Sequence, residues 1–306
     1  MSTNITRPLA ETAGFIPTVW AQKALDILRA NIVLTRLVAR DTDFEPQPQG
    51  KTLTIPYPGT LVAQKKTANT PATTQTPTGG NSVSVTLSEF AYVDFVIEDF
   101  ARAQASDELL TRWVEPAATA LAQQIETDLF TKYSALTGGS VGTSGTDVTP
   151  AVIRQAAKLL DDAKAPRSNR ALIVSSKDQM ALLGHTELQS YFANARPEVI
   201  EAGALGPPIY GLTPYMTQLV PLIAGTPNST KNLAIHRNAL LLATRPLMEP
   251  RMGSGVQSSV IVDDESGIAL RVLESYDIAE RGHRIGFDIL YGYTELRPTL
   301  GVIVLG

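Results

Sequence analysis

The stretch from Gly50 to Ile97 restricts the possible folds of this chain more than any other part of the sequence. It predicts two extended limbs of a long two-stranded ribbon, joined by a tip rich in threonine, proline and glycine. On the return limb the apolar residues occupy odd positions, and only Glu89 departs from the pattern: Val83, Val85, Leu87, Ala91, Val93, Phe95 and Ile97. A strand of this length reaches roughly 50 Å, which exceeds the diameter of most small domains. We therefore expect the ribbon to project beyond its own core.

A projecting apolar face needs a covering surface, because contiguous apolar surface of that size is rarely left to water. A second copy of the chain would supply such a surface, so the ribbon predicts a subunit of an assembly. We take Val83, Val85 and Leu87 as candidate contacts between subunits. Lys65 and Lys66 stand at the base of the tip, where they either protect a strand edge from unwanted pairing or contact a neighbour.

The composition is typical of a folded globular protein and excludes several kinds of chemistry. The 306 residues are 43% apolar and 18% charged. The absence of cysteine excludes a disulfide framework, a thiolate zinc site and a thiol nucleophile. A net charge of −4 argues against tight wrapping of nucleic acid but allows weak contact with DNA. The sequence has no secretory signal pattern and no long uncharged apolar run, so we predict a protein that is neither secreted nor in a membrane.

Apolar periodicity and turn residues predict the remaining elements. Helical spacing covers residues 17–40, 100–133, 149–165 and 177–183, and short apolar runs predict strands at 170–175 and 231–242. The carboxyl-terminal part predicts antiparallel strands with a hairpin turn at 263–267. Its final strand-like run, 284–305, either breaks at Pro298 or lies at a sheet edge there. The glycine-rich segment 137–146 predicts a flexible linker and a domain boundary. We expect hinges at four positions, namely Pro46, Pro116, Gly138 and Gly139.

No pattern of catalytic or ligand-binding residues agrees with these predicted elements. The string from Gly138 to Gly142 matches the Gly-x-Ser-x-Gly of serine hydrolases, but their nucleophile elbow needs a strand before the serine and a helix after it. The three histidines, His185, His236 and His283, lie about fifty residues apart, which is not a metal-ligand spacing. No glycine motif for phosphates or dinucleotides occurs. We predict no catalytic, cofactor-binding or metal-binding residues.

The order of the elements resembles that of the major capsid, or coat, proteins of tailed bacteriophages with the Hong Kong 97 fold, in their podovirus-like branch. Short strings along nearly the whole chain carry this resemblance: Arg170-Ala-Leu-Ile-Val-Ser-Ser, Leu205-Gly-Pro-Pro-Ile-Tyr-Gly-Leu212, Ala234-Ile-His-Arg-Asn-Ala239, Arg271-Val with Tyr276-Asp277, and Asp288-Ile-Leu-Tyr-Gly292 with Leu296-Arg-Pro298. Each string is short, and their order along the chain gives the resemblance its weight.

The resemblance implies an α+β chain of four parts: an amino-terminal arm and helix at 1–49, an extended β-hairpin loop at 50–97, a peripheral domain with its spine helix at 98–146 and 246–306, and an axial α/β domain at 147–245. It implies a structural protein without enzymatic activity or cofactor. Such subunits form hexamers and pentamers of an icosahedral shell around double-stranded DNA.

The implied partners are further copies of the chain, a scaffolding protein during assembly in the host cytoplasm, a portal protein at one vertex, a decoration protein, and packaged DNA through weak contacts. The implied location is the virion, with no membrane. We expect no covalent crosslink between subunits. Three other functions stay open: an encapsulin-like shell of a cellular nanocompartment, a serine hydrolase that uses Ser140, and a phage-tail or adhesion protein.

Overall fold

In the part of the chain that the structure describes, two six-stranded sheets and a separate two-stranded ribbon form the framework. The computed structural model describes residues 21–24, 26, 32–40, 52–57, 63–72, 81–99, 109–189, 205, 208–251, 255–262 and 268–306. Within these ranges, no helix has both the length and the apolar character needed to span a bilayer. The mixed α+β class predicted from the sequence is confirmed.

The helices are α1 (Leu34–Leu37), α2 (Leu109–Thr131), α3 (Pro150–Asp162) and α4 (Ser176–Gly184), and residues 21–24 and 26 are also helical. The strands are β1 (Ala39–Arg40), β2 (Thr52–Tyr57), β3 (Asn81–Thr86), β4 (Glu89–Glu98), β5 (Ser140–Gly142), β6 (Arg170–Val174), β7 (Thr213–Met216), β8 (Leu222–Ile223), β9 (Ser229–His236), β10 (Leu240–Arg245), β11 (Val256–Val262), β12 (Ala269–Asp277), β13 (Gly282–Glu295) and β14 (Gly301–Leu305). Short 3-10 helices cover Lys132–Ala135, Arg237–Ala239 and Pro298–Leu300.

The first sheet has the order β1-β10-β13-β12-β11, and β4 also pairs with β13. Strand β4 runs antiparallel to β13 from Glu89 to Glu98. The inner face of this sheet packs against α2, where Phe95 lies between Trp113 of the helix and Phe287 of β13, with both ring centroids 6.3 Å from its own. This aromatic contact fixes the long helix along the sheet.

The second sheet has the order β5-β14-β9-β6-β7, with β8 added to β9. Strand β6 is buried at all of its residues, as expected from its uninterrupted apolar run. Helix α3 covers the sheet with Ile153, Ala156 and Leu160, which lie one turn apart on its buried face. Pro150 stands in the first turn of that helix, where its missing N–H costs nothing.

Two of the passages of the chain between the sheets, from β9 to β10 and from β13 to β14, lie side by side, which the sequence did not predict. The predicted strand 231–242 is two strands, β9 and β10, and the predicted run 284–305 is also two, β13 and β14. The break near Pro298 is confirmed. The backbone N–H groups of Leu296 and Arg297 both donate to the carbonyl of Ala239, at 3.0 and 3.2 Å. One carbonyl therefore ties the two crossings together.

The sheet pairings do not follow the domain division that the resemblance implies. Strand β4 pairs within the first sheet although most of its residues stand in the extended loop of that division, and β10 belongs to that sheet as well. Strands β5 and β14 belong to the second sheet, together with β6 and β9. The pairing of distant strands leaves no mark in local composition, so the sequence did not indicate these sheet memberships.

The prediction of a flexible linker at 137–146 is wrong. Strand β5 lies within it and pairs in parallel with β14, Ser140 opposite Ile303. Gly138 donates its N–H to the carbonyl of Gly301 at 3.1 Å, and a Cβ at Gly138 would lie 2.4 Å from that oxygen. Gly139 has a φ of +109°, which glycine adopts readily. The glycines here allow close backbone approach, so this segment is a poor hinge.

The predicted helices agree with the structure in part. The helix predicted at 17–40 gives way to the strand β1 at Ala39, which pairs in parallel with Leu241 of β10. Pro116 lies inside α2, and the helix continues through it as one element. Pro46 and the turn at 263–267 lie outside the described residues. The strands on either side of that turn, β11 and β12, pair antiparallel as predicted.

A fully buried carboxylate joins the start of α4 to β9. One oxygen of Asp178, Oδ2, accepts hydrogen bonds from Ser175 Oγ at 2.7 Å, Thr230 Oγ1 at 2.6 Å and Asn232 Nδ2 at 2.7 Å. Asn232 Oδ1 in turn accepts from the backbone N–H of Ser175 at 2.7 Å. Because these donors are buried, each depends on this cluster for its partner.

Replacing Asp178 with alanine is expected to lower the free energy of unfolding by about 3 kcal/mol, because three buried donors lose their acceptor. Urea unfolding of the unassembled subunit measures this difference. The control is Asp162→Ala, which removes an exposed carboxylate paired with Lys158 and should cost less than about 0.5 kcal/mol. Equal losses in the two variants would contradict the structural role of Asp178.

A second buried carboxylate joins α2 to the amino-terminal part of the chain. Glu126 Oε1 accepts from the backbone N–H groups of Val33 and Thr35, at 2.6 and 3.2 Å. Its burial raises the pKa of the carboxyl above the ordinary value, although these hydrogen bonds act in the opposite direction. Protonation of Glu126 therefore stabilises the folded state relative to the unfolded state.

The stability that protonation of Glu126 contributes is fully present below the unfolded-state pKa, near 4.5. It is lost as the pH rises through the raised pKa of the folded state. We therefore expect Glu126→Gln, which stays neutral, to gain stability relative to the wild type as the pH rises from about 4.5 to neutrality. Urea unfolding at several pH values measures the difference. Glu115→Gln, at an exposed position on the same helix, is the matched control. If the stability of Glu126→Gln relative to the wild type fell as the pH rose, the raised pKa of Glu126 would be contradicted.

Candidate functional site

The base of the ribbon is anchored within its own chain. Strands β2 and β3 pair antiparallel from Thr52 opposite Thr86 to Tyr57 opposite Asn81. The inward side chains of these strands and of the residue that follows them are buried against β1, β10 and the end of β13, and they form one cluster: Ala39, Leu53, Ile55, Val85, Leu87, Leu241, Ala243 and Leu296. A Cβ at Gly292 would lie 2.3 Å from the carbonyl of Thr86, so only glycine lets the ribbon approach β13 this closely.

This anchoring corrects two of the predicted contacts between subunits. Val85 and Leu87 are buried in their own chain, so they are not available to a neighbour. Val83 is half-buried and packs at the edge of the same cluster. The period-two pattern of the return limb is confirmed, but the limb is two strands and its second strand, β4, belongs to the first sheet. The ribbon therefore projects over a shorter length than predicted.

The tip of the ribbon is exposed to solvent at every described residue, from 63 to 72. It carries two charges in this range, Lys65 and Lys66, and both side chains are exposed. A turn orders the chain beyond them, because the backbone N–H and the hydroxyl of Thr70 both donate to the carbonyl of Thr67, at 3.3 and 3.0 Å. The tip therefore presents two adjacent cations on a polar loop.

The outer face of β4 carries exposed aromatic side chains. Phe90 is 49% exposed and Tyr92 is 61% exposed, and their rings stack with centroids 5.9 Å apart. Val96 continues this face. Strand β4 pairs with β13 along one edge, and no other described strand pairs with it. An exposed aromatic face beside an unpaired strand edge is typical of a surface that another chain covers.

An acidic groove of about 350 Å³ lies between β4 and α2. Glu89 and Asp128 supply its carboxylates, Gln124 adds an amide, and Phe90 and Tyr92 form part of its wall. Asp128 accepts hydrogen bonds from the Gln124 amide, at 3.0 Å, and from the hydroxyl of Tyr291. Burial and this hydrogen bond raise the pKa of Tyr291, so its phenol remains a donor at all physiological pH values. The groove has no basic residue in its lining.

The serine of the hydrolase-like string and the three histidines lie on separate elements. Ser140 begins the strand β5 and so does not occupy a strand-to-helix elbow. His185 follows α4, His236 ends β9, and His283 lies in β13, where its Nδ1 is 3.4 Å from Glu274 Oε1. Among the described residues, no group of three or more acidic or histidine side chains is placed to hold a metal ion.

One structural pair within the resemblance strings was not recognised from the sequence. Arg271 of β12 stands opposite Asp288 of β13, and the guanidinium binds both carboxylate oxygens, with Nε to Oδ1 at 2.9 Å and Nη2 to Oδ2 at 2.6 Å. Arg271 also donates to the carbonyl of Met248. Opposite charges on two neighbouring predicted strands could have indicated this pair. The sequence does not give the register of the two strands, so it did not show that Arg271 and Asp288 stand opposite each other.

Comparisons with known proteins place this fold. No protein-family model and no curated protein matches the sequence. Among solved structures, a chain of the capsid of cyanophage P-SCSP1u is similar with a TM-score of 0.65 and 13% identity, over 89% of this chain and 87% of that one. A chain from Mycobacterium phage Che8 is similar with a TM-score of 0.62 and 19% identity, over 89% and 90%.

An encapsulin of Synechococcus elongatus PCC 7942 is also similar, with a TM-score of 0.50 and 11% identity over 89% of this chain and 85% of that one. At these identities the likeness concerns the fold. It covers 89% of this chain in each of the three comparisons and 85% to 90% of the other chain. The chain has the phage-capsid fold, as its sequence predicted.

Proposed function

We propose that this chain is the major capsid protein of a tailed bacteriophage, which assembles into an icosahedral shell around double-stranded DNA. The observation that carries the proposal is the exposed ribbon tip, residues 63–72, on a chain that has the phage-capsid fold over about 90% of its length. A loop that is exposed at every described residue and attached to a buried base is suited to contact a neighbouring subunit. The capsid origin of the P-SCSP1u chain supports this function.

The stability of such a shell comes from surface that each subunit exposes and its neighbours bury. The aromatic face of β4, with Phe90, Tyr92 and Val96, is the apolar part of that surface. Burial of several hundred Å² of apolar surface contributes about 10 kcal/mol per contact before ordering costs. Repetition over many copies turns modest contacts into a closed shell.

We propose that the ribbon tip of one subunit lies in the acidic groove of the next. The two surfaces have complementary charge, since Lys65 and Lys66 are the charged residues of the described tip and Glu89 and Asp128 are those of the groove. An exposed ion pair contributes about 1 kcal/mol or less, so its main effect is to select the partner and the register. The unpaired edge of β4 runs along the groove and offers backbone groups to an extended segment.

The finer organisation follows as part of the same proposal. The subunits occupy hexamers and pentamers, and Pro116 offers a bending point in α2 because it lacks the N–H that the helix would use. A scaffolding protein directs assembly in the host cytoplasm, a portal protein occupies one vertex, and a decoration protein binds the finished shell. DNA contacts the interior weakly. These partners rest on the resemblance to phage coat proteins.

The assembly test reverses the charge of the tip. The wild type is expected to form closed shells of uniform diameter in negative-stain images, and the Lys65→Glu/Lys66→Glu variant should remain as free subunits or small oligomers, because its tip then repels the groove. Sedimentation measures the fraction of protein in shells. Adding Glu89→Lys to the tip variant should restore part of that fraction.

The matched control is Lys158→Glu, a charge reversal at an exposed residue of α3 that lies outside the groove and the ribbon. It should assemble like the wild type. Open fibres or rings from the wild type would contradict the capsid role. Normal assembly of the tip variant would leave the capsid role intact but contradict the proposed place of the tip.

A nanocompartment shell is the second candidate, because the encapsulin from Synechococcus shares the fold. Both proteins would form closed shells, so particle shape does not distinguish them. Their contents do: a phage capsid produced in its natural setting holds nuclease-protected double-stranded DNA, whereas a nanocompartment holds cargo protein bound to the inner wall. The two phage chains match this chain with higher TM-scores, which favours the capsid.

A further inference from the structure

A positively charged pocket lies where α1, the second sheet and the crossing from β9 to β10 meet. Its volume is about 240 Å³, and its polar lining consists of Arg36, Asn169, Arg170, Thr213, Tyr215 and Arg237. Three separate elements supply the three arginines, and no acidic residue lines the pocket. In a chain with a net charge of −4, this is a local concentration of positive charge.

Backbone pairing fixes the position of the polar groups before any ligand arrives. The carbonyl of Asn169 accepts the N–H of Arg237 at 3.1 Å, and Asn169 adopts a left-handed φ of +55°. Thr213 stands opposite Ala171, and Tyr215 opposite Ile173, in the parallel pairing of β6 and β7. A preorganised site of this kind loses little entropy on binding.

The buried member of the three arginines, Arg170, holds the wall of the pocket in place. The side chain of Arg170 is 2% exposed and donates to Asp161 Oδ1 at 2.7 Å, to the carbonyl of Ala165 at 2.7 Å and to that of Pro166 at 2.8 Å. Asp161 does not line the pocket. Burial, followed by the charges of Arg170 and Arg297, lowers the pKa of the neighbouring His236, which agrees with a positive potential in this region.

We propose that this pocket binds a phosphate group, either of a nucleic acid backbone or of a free phosphate or pyrophosphate ion. A guanidinium donates two parallel hydrogen bonds to an oxyanion, and Arg36 and Arg237 reach this pocket from two different elements while Arg170 supports its wall. The hydroxyls of Thr213 and Tyr215 add donors. A carboxylate has two oxygens and cannot use so many donors, whereas a phosphate has up to four.

The test measures binding of a short fluorescent DNA duplex to the intact subunit by anisotropy at low salt, with inorganic pyrophosphate as competitor. Arg36 is exposed, so Arg36→Gln removes one donor set without disturbing the core. We expect this variant to bind about ten-fold more weakly, which corresponds to the loss of one charge-assisted hydrogen bond. The slope of log affinity against log salt should fall by about 1, because one phosphate contact is lost.

Arg154→Gln is the matched control, since it removes the same charge from an exposed position on α3 outside the pocket. It should change the affinity by less than about two-fold. Binding of pyrophosphate, measured directly by titration calorimetry, without binding of the duplex would support the site and assign it to free phosphate. Equal weakening in both variants, no binding of either duplex or pyrophosphate at low salt, or displacement of DNA by polyglutamate but not by pyrophosphate would each overturn the proposal.

Discussion

The burial of the ribbon base against β10 is the contact on which the rest of this structure depends. Leu53, Ile55, Val85 and Leu87 fill the gap above the first sheet, and Gly292 lets the ribbon backbone approach β13. An antiparallel pair with one face in water is marginal by itself, so this contact gives the ribbon both its stability and its direction. The tip can extend from the molecule because the base is fixed to it.

The first sheet also supports the surface that receives a neighbour in the proposed assembly. Strand β4 follows β3 after two residues, and it presents Phe90 and Tyr92 on its outer face while Phe95 packs inward against α2. The ribbon and the acidic groove are therefore continuous along one segment of the chain. A shift in the register of β4 would move the ribbon and the acidic groove together. The position of the tip, which contacts one neighbour, is therefore coupled to the position of the groove, which receives the tip of another.

The sequence predicted features with a local cause and missed those that depend on pairing. The alternation from Val83 to Ile97 and the apolar run from Arg170 to Val174 identified strands, since each pattern arises within its own segment. The burial of Val85 and Leu87 in their own chain followed from a contact with Leu241, which lies far away in the sequence. The acidic groove, the pocket of arginines and the Asp178 cluster also join distant segments, so no local spacing indicated them.

The most direct test of the central claim, that the ribbon tip lies in the groove of a neighbouring copy, is a disulfide between the two. The chain contains no cysteine, so Lys66→Cys in the tip and Gln124→Cys in the groove introduce the only thiols. Oxidised shells of the double variant should give a ladder of linked subunits on a non-reducing denaturing gel, and shells of either single variant should give monomers. A monomer band from intact shells of the oxidised double variant would contradict the account.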